Sequence, residues 1–293
     1  MAGLLGGCTG GVLDPHGPVA AQERLIIFDA VAIMLAIAVP TIVAAVWFTW
    51  WFRSTNPRAR YRPDFVYSGR VEIVMWTVPL LTALFLSGLI WSGAHDLDPY
   101  KPLPVAAGRR TTEVQVVALD WKWLFIYPEQ GVASVNELVL PVGAPAHFSM
   151  TSASVMNTFY IAQLGGMIYV MNGMVTQLSL QADQPGDYYG RSGHFSGDGF
   201  SAMQFTAHAV PQAQFTQWVE ATRNGGGEVL DKAAYAELEK QNVPDHPFTY
   251  RAVDPNLFAD ITTQRIAPAP GPDTGRGGAG VEEKAQSEKR AEK

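Results

Sequence analysis

Cysteine is almost missing from these 293 residues. Cys8 stands alone, so the chain can hold neither an intrachain disulfide nor a bridging pair of thiolates. Basic residues are also sparse. Lys and Arg total 21 against 27 Asp and Glu, a formal net charge of −6, which argues against a nucleic-acid partner, because such partners are held by clustered cations. No internal repeat is visible. What the chain has in quantity is apolar material, 47% of its residues, enough for a folded core and membrane spans together.

That material is concentrated in two runs. Leu25 to Phe52 contains only Asp29 as a charge, and from Ala30 onward it would rise about 34 Å as helix, against a hydrocarbon core of about 30 Å. Val71 to Trp91 is the second run. Two buried helices of a soluble protein are the alternative, which the length of the runs disfavours. Pro40 and Pro79 lie inside the runs, and a membrane helix tolerates them where neighbours re-satisfy the backbone. Arg53, Arg58, Arg60, Arg62 and Arg70 crowd the connection with only Asp64 against them, which places that loop in the cytoplasm and both the N-terminus and everything after Trp91 outside. Asp29, near the outer end of its run, is expected to snorkel to water. Trp47, Trp50, Trp51 and Trp91 suit interfacial belts, or packing against a partner subunit.

Leu5-Gly6-Gly7-Cys8 looks like a bacterial lipobox, with Cys8 expected to carry a lipid (palmitate) anchor. No Lys or Arg precedes it, so the positively charged part of a signal is missing from this stretch. From Thr111 the pattern changes to short alternating segments. Strands are expected at Thr112–Ala118, Ser134–Leu140, Ala146–Thr151, Asn157–Ile161, Met174–Leu180 and Ser201–Ala209, with Gly and Pro between them, a pattern that argues for a sandwich or barrel. Beyond Pro211, Ala213–Thr222 and Leu230–Gln241 read as helices. The expected organisation is an external segment with the lipobox over 1–24, a helical hairpin over 25–95 with its loop at 53–70, a β domain over 96–210, a helical extension over 211–266, and a disordered tail over 267–293.

Several motifs occur in a telling order: Val71-Glu72 followed by Trp76-Thr77-Val78-Pro79, then Asp120-Trp121-Lys122-Trp123 with Tyr127-Pro128-Glu129-Gln130-Gly131. Val155-Met156-Asn157 and Phe195-Ser196-Gly197 with Gly199-Phe200-Ser201 complete the set. In this order the chain resembles subunit II of the haem–copper respiratory oxidases, in the branch that takes electrons from quinol. The resemblance implies a cupredoxin-like Greek-key sandwich after two transmembrane helices, in the bacterial cytoplasmic membrane with the sandwich in the periplasm. In the copper-bearing branch of that family, a loop Cys-Ser-Glu-x-Cys-Gly-x-x-His-x-x-Met and an upstream His hold a dinuclear copper centre. Here Ser192 and Ser196 stand in the Cys positions, Phe200 in that of the loop His, Asn157 in that of the upstream His and His194 in that of the Glu, while Met203 alone remains. Thiolate and imidazole hold copper; hydroxyl, amide and phenyl groups do not replace them, and a lone thioether binds weakly.

The resemblance also bears on residues outside that loop. Glu72 matches the glutamate proposed in the family to admit protons from the cytoplasm; by its position in the first turn of a span it reads equally as an interfacial helix cap. Trp121 and Trp123 fall in the segment that lies between the copper domain and subunit I in copper-bearing relatives, and are expected to be subunit-interface anchors. Met150, Met156, Met167, Met171 and Met174 suit packing better than copper(I) capture, and His147 and His194 read as surface histidines. The expectation is a structural and assembly subunit of a proton-pumping ubiquinol oxidase, with no catalytic residue and no cofactor of its own. Haems and copper would belong to subunit I, and further partners would be the smaller membrane subunits, lipid, and ubiquinol through the complex. The alternatives are a copper-bearing cytochrome c oxidase subunit, against which the ligand positions argue, and a membrane-tethered binding lipoprotein.

Overall fold

The structure, a computed structural model, describes residues 11–60 and 62–271. These form two compact units, Gln22–Asp98 and the remainder. Cys8 and positions 272–293, most of the expected tail, lie outside the described residues.

The first unit is built from two helices, α1 (Pro18–Trp51) and α2 (Gly69–Asp96). Proline suits the first position of α1, where its missing N–H would have had no partner. At 34 and 28 residues the helices rise about 51 and 42 Å, more than a bilayer core requires. Their apolar side chains face outward on all sides: Ile42, Val46, Leu84 and Phe85 are each at least 60% exposed. A helix apolar all round has no water-facing stripe, which is the surface a lipid-embedded span carries. Where the helices approach, Gly93 leaves room for the Ile26 side chain, which a methyl group would meet.

The second unit contains the strands β1 (Thr112–Leu119), β2 (Lys122–Tyr127), β3 (Val132–Val135), β4 (Glu137–Pro141), β5 (Pro145–Ser152), β6 (Asn157–Ile161), β7 (Gly165–Val170), β8 (Thr176–Gln181), β9 (Gly186–Ser192) and β10 (Gln204–Val210). After them come α3 (Gln212–Asn224), β11 (Val229–Leu230), α4 (Lys232–Leu238), β12 (Phe248–Tyr250), β13 (Ala252–Val253) and α5 (Leu257–Thr262). One sheet runs β12-β3-β2-β1-β5-β8 and the other β4-β10-β9-β6-β7, while β11 and β13 pair by themselves. The parallel pairings β1 with β5 and β4 with β10 are the crossovers of a Greek-key sandwich.

Between the sheets lies an aromatic core. Phe159 and Phe205 stack at 5.2 Å, and Trp123 meets both edge-on at 5.5 and 5.7 Å. A second core covers the outer face of the larger sheet, where Tyr235, Leu238, Leu257 and Ile261 of α4 and α5 pack on Leu119, Leu124 and Ile126. Every side chain of β2 is therefore buried, and the strand reads as a continuous run instead of an alternation. The N-terminal segment also packs on the sandwich: the His16 N–H donates to the Gln163 carbonyl and its carbonyl accepts from the Asp183 N–H, both at 2.8 Å.

Several expectations are corrected here. The strand expected at Ser134–Leu140 is two strands in different sheets, because Asn136 takes φ +58° and turns the chain between them. Its side chain makes that geometry tolerable by accepting from the Trp123 N–H at 2.8 Å. Ser201–Ala209 divides into a 3₁₀ turn at Asp198–Ala202 and a strand that starts at Gln204. The helix expected to Gln241 stops at Leu238. The extension after Pro211 is not only helical, since β12 pairs with β3 and completes the larger sheet. The described start of the tail is held as well: the Ala269 N–H donates to the Ala153 carbonyl at 3.0 Å, and Ala269 packs on the second core.

Candidate functional site

The residues aligned with the copper ligands converge although they come from three separate segments. Asn157 opens β6, Ser192 closes β9, and the turn leading into β10 carries Ser196, Phe200 and Met203. Asn157, Ser192, Ser196 and Met203 are 1%, 3%, 6% and 1% exposed. Burial of polar groups on this scale requires partners, and each finds them locally. The Ser192 hydroxyl donates to Asn157 Oδ1 at 3.1 Å and accepts from the N–H groups of Thr158 and His194, each at 3.4 Å. Asn157 Nδ2 donates to the Val155 carbonyl at 3.2 Å. The Ser196 hydroxyl points at the Met203 sulfur, 3.8 Å away, and the Ser192 N–H donates to the Met203 carbonyl at 3.2 Å. Phe200 joins through its backbone, and its ring lies 5.7 Å from that of Phe195. His194 is half-buried, with its ring 6.1 Å from Tyr169.

This arrangement does not fit copper. The four strong-donor positions carry an amide, two hydroxyls and a phenyl ring, and the amide and one hydroxyl are already spent on each other. Among the described residues no group of three or more His, Cys, Asp and Glu side chains is placed to hold a metal ion. What the frame can do chemically is close the end of the sandwich with a hydrogen-bonded plug.

Trp121 and Trp123, expected as interface anchors, are both buried within this chain. Trp123 is 0% exposed and sits in the aromatic core, so it has no surface to offer a partner. Trp121 is not a strand residue: it occupies the β1–β2 turn at φ +68° and is 7% exposed. Its indole N–H donates to the Ser196 carbonyl at 3.0 Å, and Gly199 lies directly under the ring, where a methyl group would overlap it. The tryptophan braces the plug from behind. Of the methionines, Met150 is buried as expected, but Met167 and Met174 are 54% and 51% exposed. His147 is half-buried, its Nδ1 lying 3.3 Å from the Ser179 hydroxyl.

Residues that sequence reasoning passed over support the same corner. Lys122, 1% exposed, donates through Nζ to the Lys240 carbonyl at 2.7 Å and to Asn242 Oδ1. Burial lowers its pKa to about 8, and the charge of Asp120 pulls it back up. Asp120 in turn accepts from the Ser154 hydroxyl. Thr158 Oγ1 accepts from the Gly193 N–H at 2.6 Å, tying β6 to the loop. A lone lysine inside the run Trp121–Tyr127 was the one signal available; nothing marked Thr158. In the helical unit, Glu72 stands exposed in the first turn of α2, its N–H bonded to the Ser68 carbonyl at 3.0 Å.

Residues 114–210 match the family described as cytochrome c oxidase subunit II, periplasmic domain. Over 262 residues the chain is 45% identical to ubiquinol oxidase subunit 2 of Acetobacter aceti, covering 89% of this chain and 84% of that one. The chain belongs to the ubiquinol oxidase subunit 2 family. Within that family it is also 43% identical over 263 residues to cytochrome bo(3) ubiquinol oxidase subunit 2 of Pseudomonas aeruginosa, covering 89% and 78% of the two chains. The solved periplasmic domain of subunit II of cytochrome oxidase from Bradyrhizobium japonicum aligns at 24% identity and a TM-score of 0.36, over 38% of this chain and 91% of that one.

Proposed function

We propose that this chain is a structural and assembly subunit of a membrane-bound, proton-pumping ubiquinol oxidase that reduces oxygen to water, and that it carries no redox metal itself. The observation that carries the reading is the hydrogen bond between Ser192 and Asn157 at two positions where the copper-bearing relatives need thiolate and imidazole. The names of the relatives support quinol as the electron donor. Electrons then pass from quinol to haems and copper in subunit I without crossing this chain. The hairpin braces subunit I within the bacterial cytoplasmic membrane, and the sandwich caps the complex on the periplasmic side. The arginine-rich loop supports that orientation. A lipid on Cys8 adds a second anchor to the membrane. Glu72 is the candidate residue for proton uptake; its support is an ionisable group at the cytoplasmic start of a span.

The test is to purify the intact complex and measure oxygen consumption with ubiquinol and with reduced cytochrome c, alongside metal analysis of the isolated segment 99–271. Turnover with ubiquinol alone and no stoichiometric copper in the segment are expected. Cytochrome c-driven turnover, or a purple mixed-valence copper spectrum, would sink the reading.

A further inference from the structure

Described residues of the segment joining α1 to α2 line a cavity of about 800 Å³. Arg53, Arg58, Arg60 and Arg62 are among the residues that line it, together with Phe52 and Phe65. Arg53 is held in place: it stacks 4.9 Å above the Trp50 ring and donates to the Trp50 carbonyl at 3.0 Å and the Thr55 hydroxyl at 3.1 Å. Arg58, Arg60 and Arg62 are not paired with any carboxylate among the described residues, and Asp64 is the only acid in the loop. Four like charges around one cavity repel each other unless an anion sits among them, and the planar guanidinium fork matches a phosphate with two parallel hydrogen bonds.

A second cavity indicates which anion. An apolar groove of about 370 Å³ runs along one face of α1, lined by Ile42, Val46, Trp47 and Trp50. Trp50 lines this groove and carries Arg53, which lines the cationic cavity, so one stacked pair links the two. A free phosphate would use the cavity and leave the groove unused, whereas a phospholipid has the shape of both. Basic clusters at the cytoplasmic ends of spans attract anionic headgroups.

We propose that Arg58, Arg60 and Arg62 form a site for the phosphodiester headgroup of an anionic phospholipid of the cytoplasmic leaflet, phosphatidylglycerol or cardiolipin, with an acyl chain lying in the groove on α1. The lipid neutralises the loop and ties it to the headgroup layer. The site does not depend on which electron donor the complex uses.

The test uses the intact complex in phosphatidylcholine nanodiscs doped with spin-labelled phosphatidylglycerol, or with spin-labelled phosphatidylcholine for comparison. The motionally restricted fraction of each label reports binding. The parent should restrict phosphatidylglycerol in preference to phosphatidylcholine. That preference should fall at least about five-fold in the Arg58→Gln/Arg60→Gln/Arg62→Gln variant, the worth of roughly one arginine near a charged surface. The three single Gln variants, each expected to lose about two-fold or more, keep the question open to measurement if the triple variant does not assemble. Equal preference in parent and Gln variants overturns the proposal. Displacement of the label by inorganic phosphate also overturns it, because it makes a free anion the occupant.

Discussion

Ser192 is where the two chemistries open to this loop divide. Its hydroxyl donates to Asn157 and accepts from two backbone N–H groups, so all its capacity is used inside the protein. A thiolate in the same place would be a metal ligand. Because the positions converge and the backbone of the turn is hydrogen-bonded, Ser192→Cys, Ser196→Cys, Asn157→His and Phe200→His together are expected to recover much of the copper frame around Met203. Stoichiometric copper uptake and the visible spectrum of the variant against the parent check this; equal uptake would show that the loops no longer hold ligand geometry. Affinity need not be high, since partners that orient the new ligands are missing. Glu72 poses a separate residue-scale question, because a cap and a proton donor look alike in a static helix turn. Glu72→Gln keeps the shape and removes the titratable group. It is expected to slow quinol-driven oxygen consumption with haem content unchanged, and to slow it more as pH rises and protons become scarcer. Turnover per haem across pH measures this, and parental rates at every pH leave Glu72 a cap.

At the scale of elements, the β1–β2 turn and the 3₁₀ turn at Asp198–Ala202 are locked together by one indole over one glycine. Adding a methyl at Gly199 drives a carbon into the Trp121 ring, so Gly199→Ala is expected to destabilise the sandwich by roughly 1–3 kcal/mol, the usual cost of overpacking a filled site. Chemical denaturation of the segment 99–271 with and without the substitution gives the difference directly, and an unchanged midpoint would mean the ring moves aside freely. Legibility also differs from element to element. Asn157–Ile161 was visible as a strand because β-branched and aromatic residues run together there, shortly before the Gly165-Gly166 pair. β2 was not, because both its faces are covered, one by the opposing sheet and one by α4 and α5, which erases the alternation that signals a strand. β9 was hidden by Gly186 and Gly190, and Gly190 is required there because Phe205 packs against its backbone.

For the whole molecule, membrane attachment rests on the hairpin. Cys8→Ala is expected to abolish incorporation of radiolabelled palmitate yet leave the protein in the membrane fraction, because two spans hold far more strongly than acyl chains. Continued labelling would remove the lipobox reading, and loss from the membrane would remove the hairpin reading. The sequence by itself made legible the two apolar spans and the loss of the copper-ligating Cys and His, because hydropathy and donor identity are properties of residues and need no neighbours. Only the tertiary structure decided what replaces the metal. That Asn157 and Ser192, 35 residues apart, satisfy each other, that Trp121 braces Ser196 across 75 residues, and that Trp123 belongs to the core all depend on contacts distant in sequence. Local pattern carries no record of such contacts, because burial on both faces and long-range hydrogen bonding are set by what the sheets bring together.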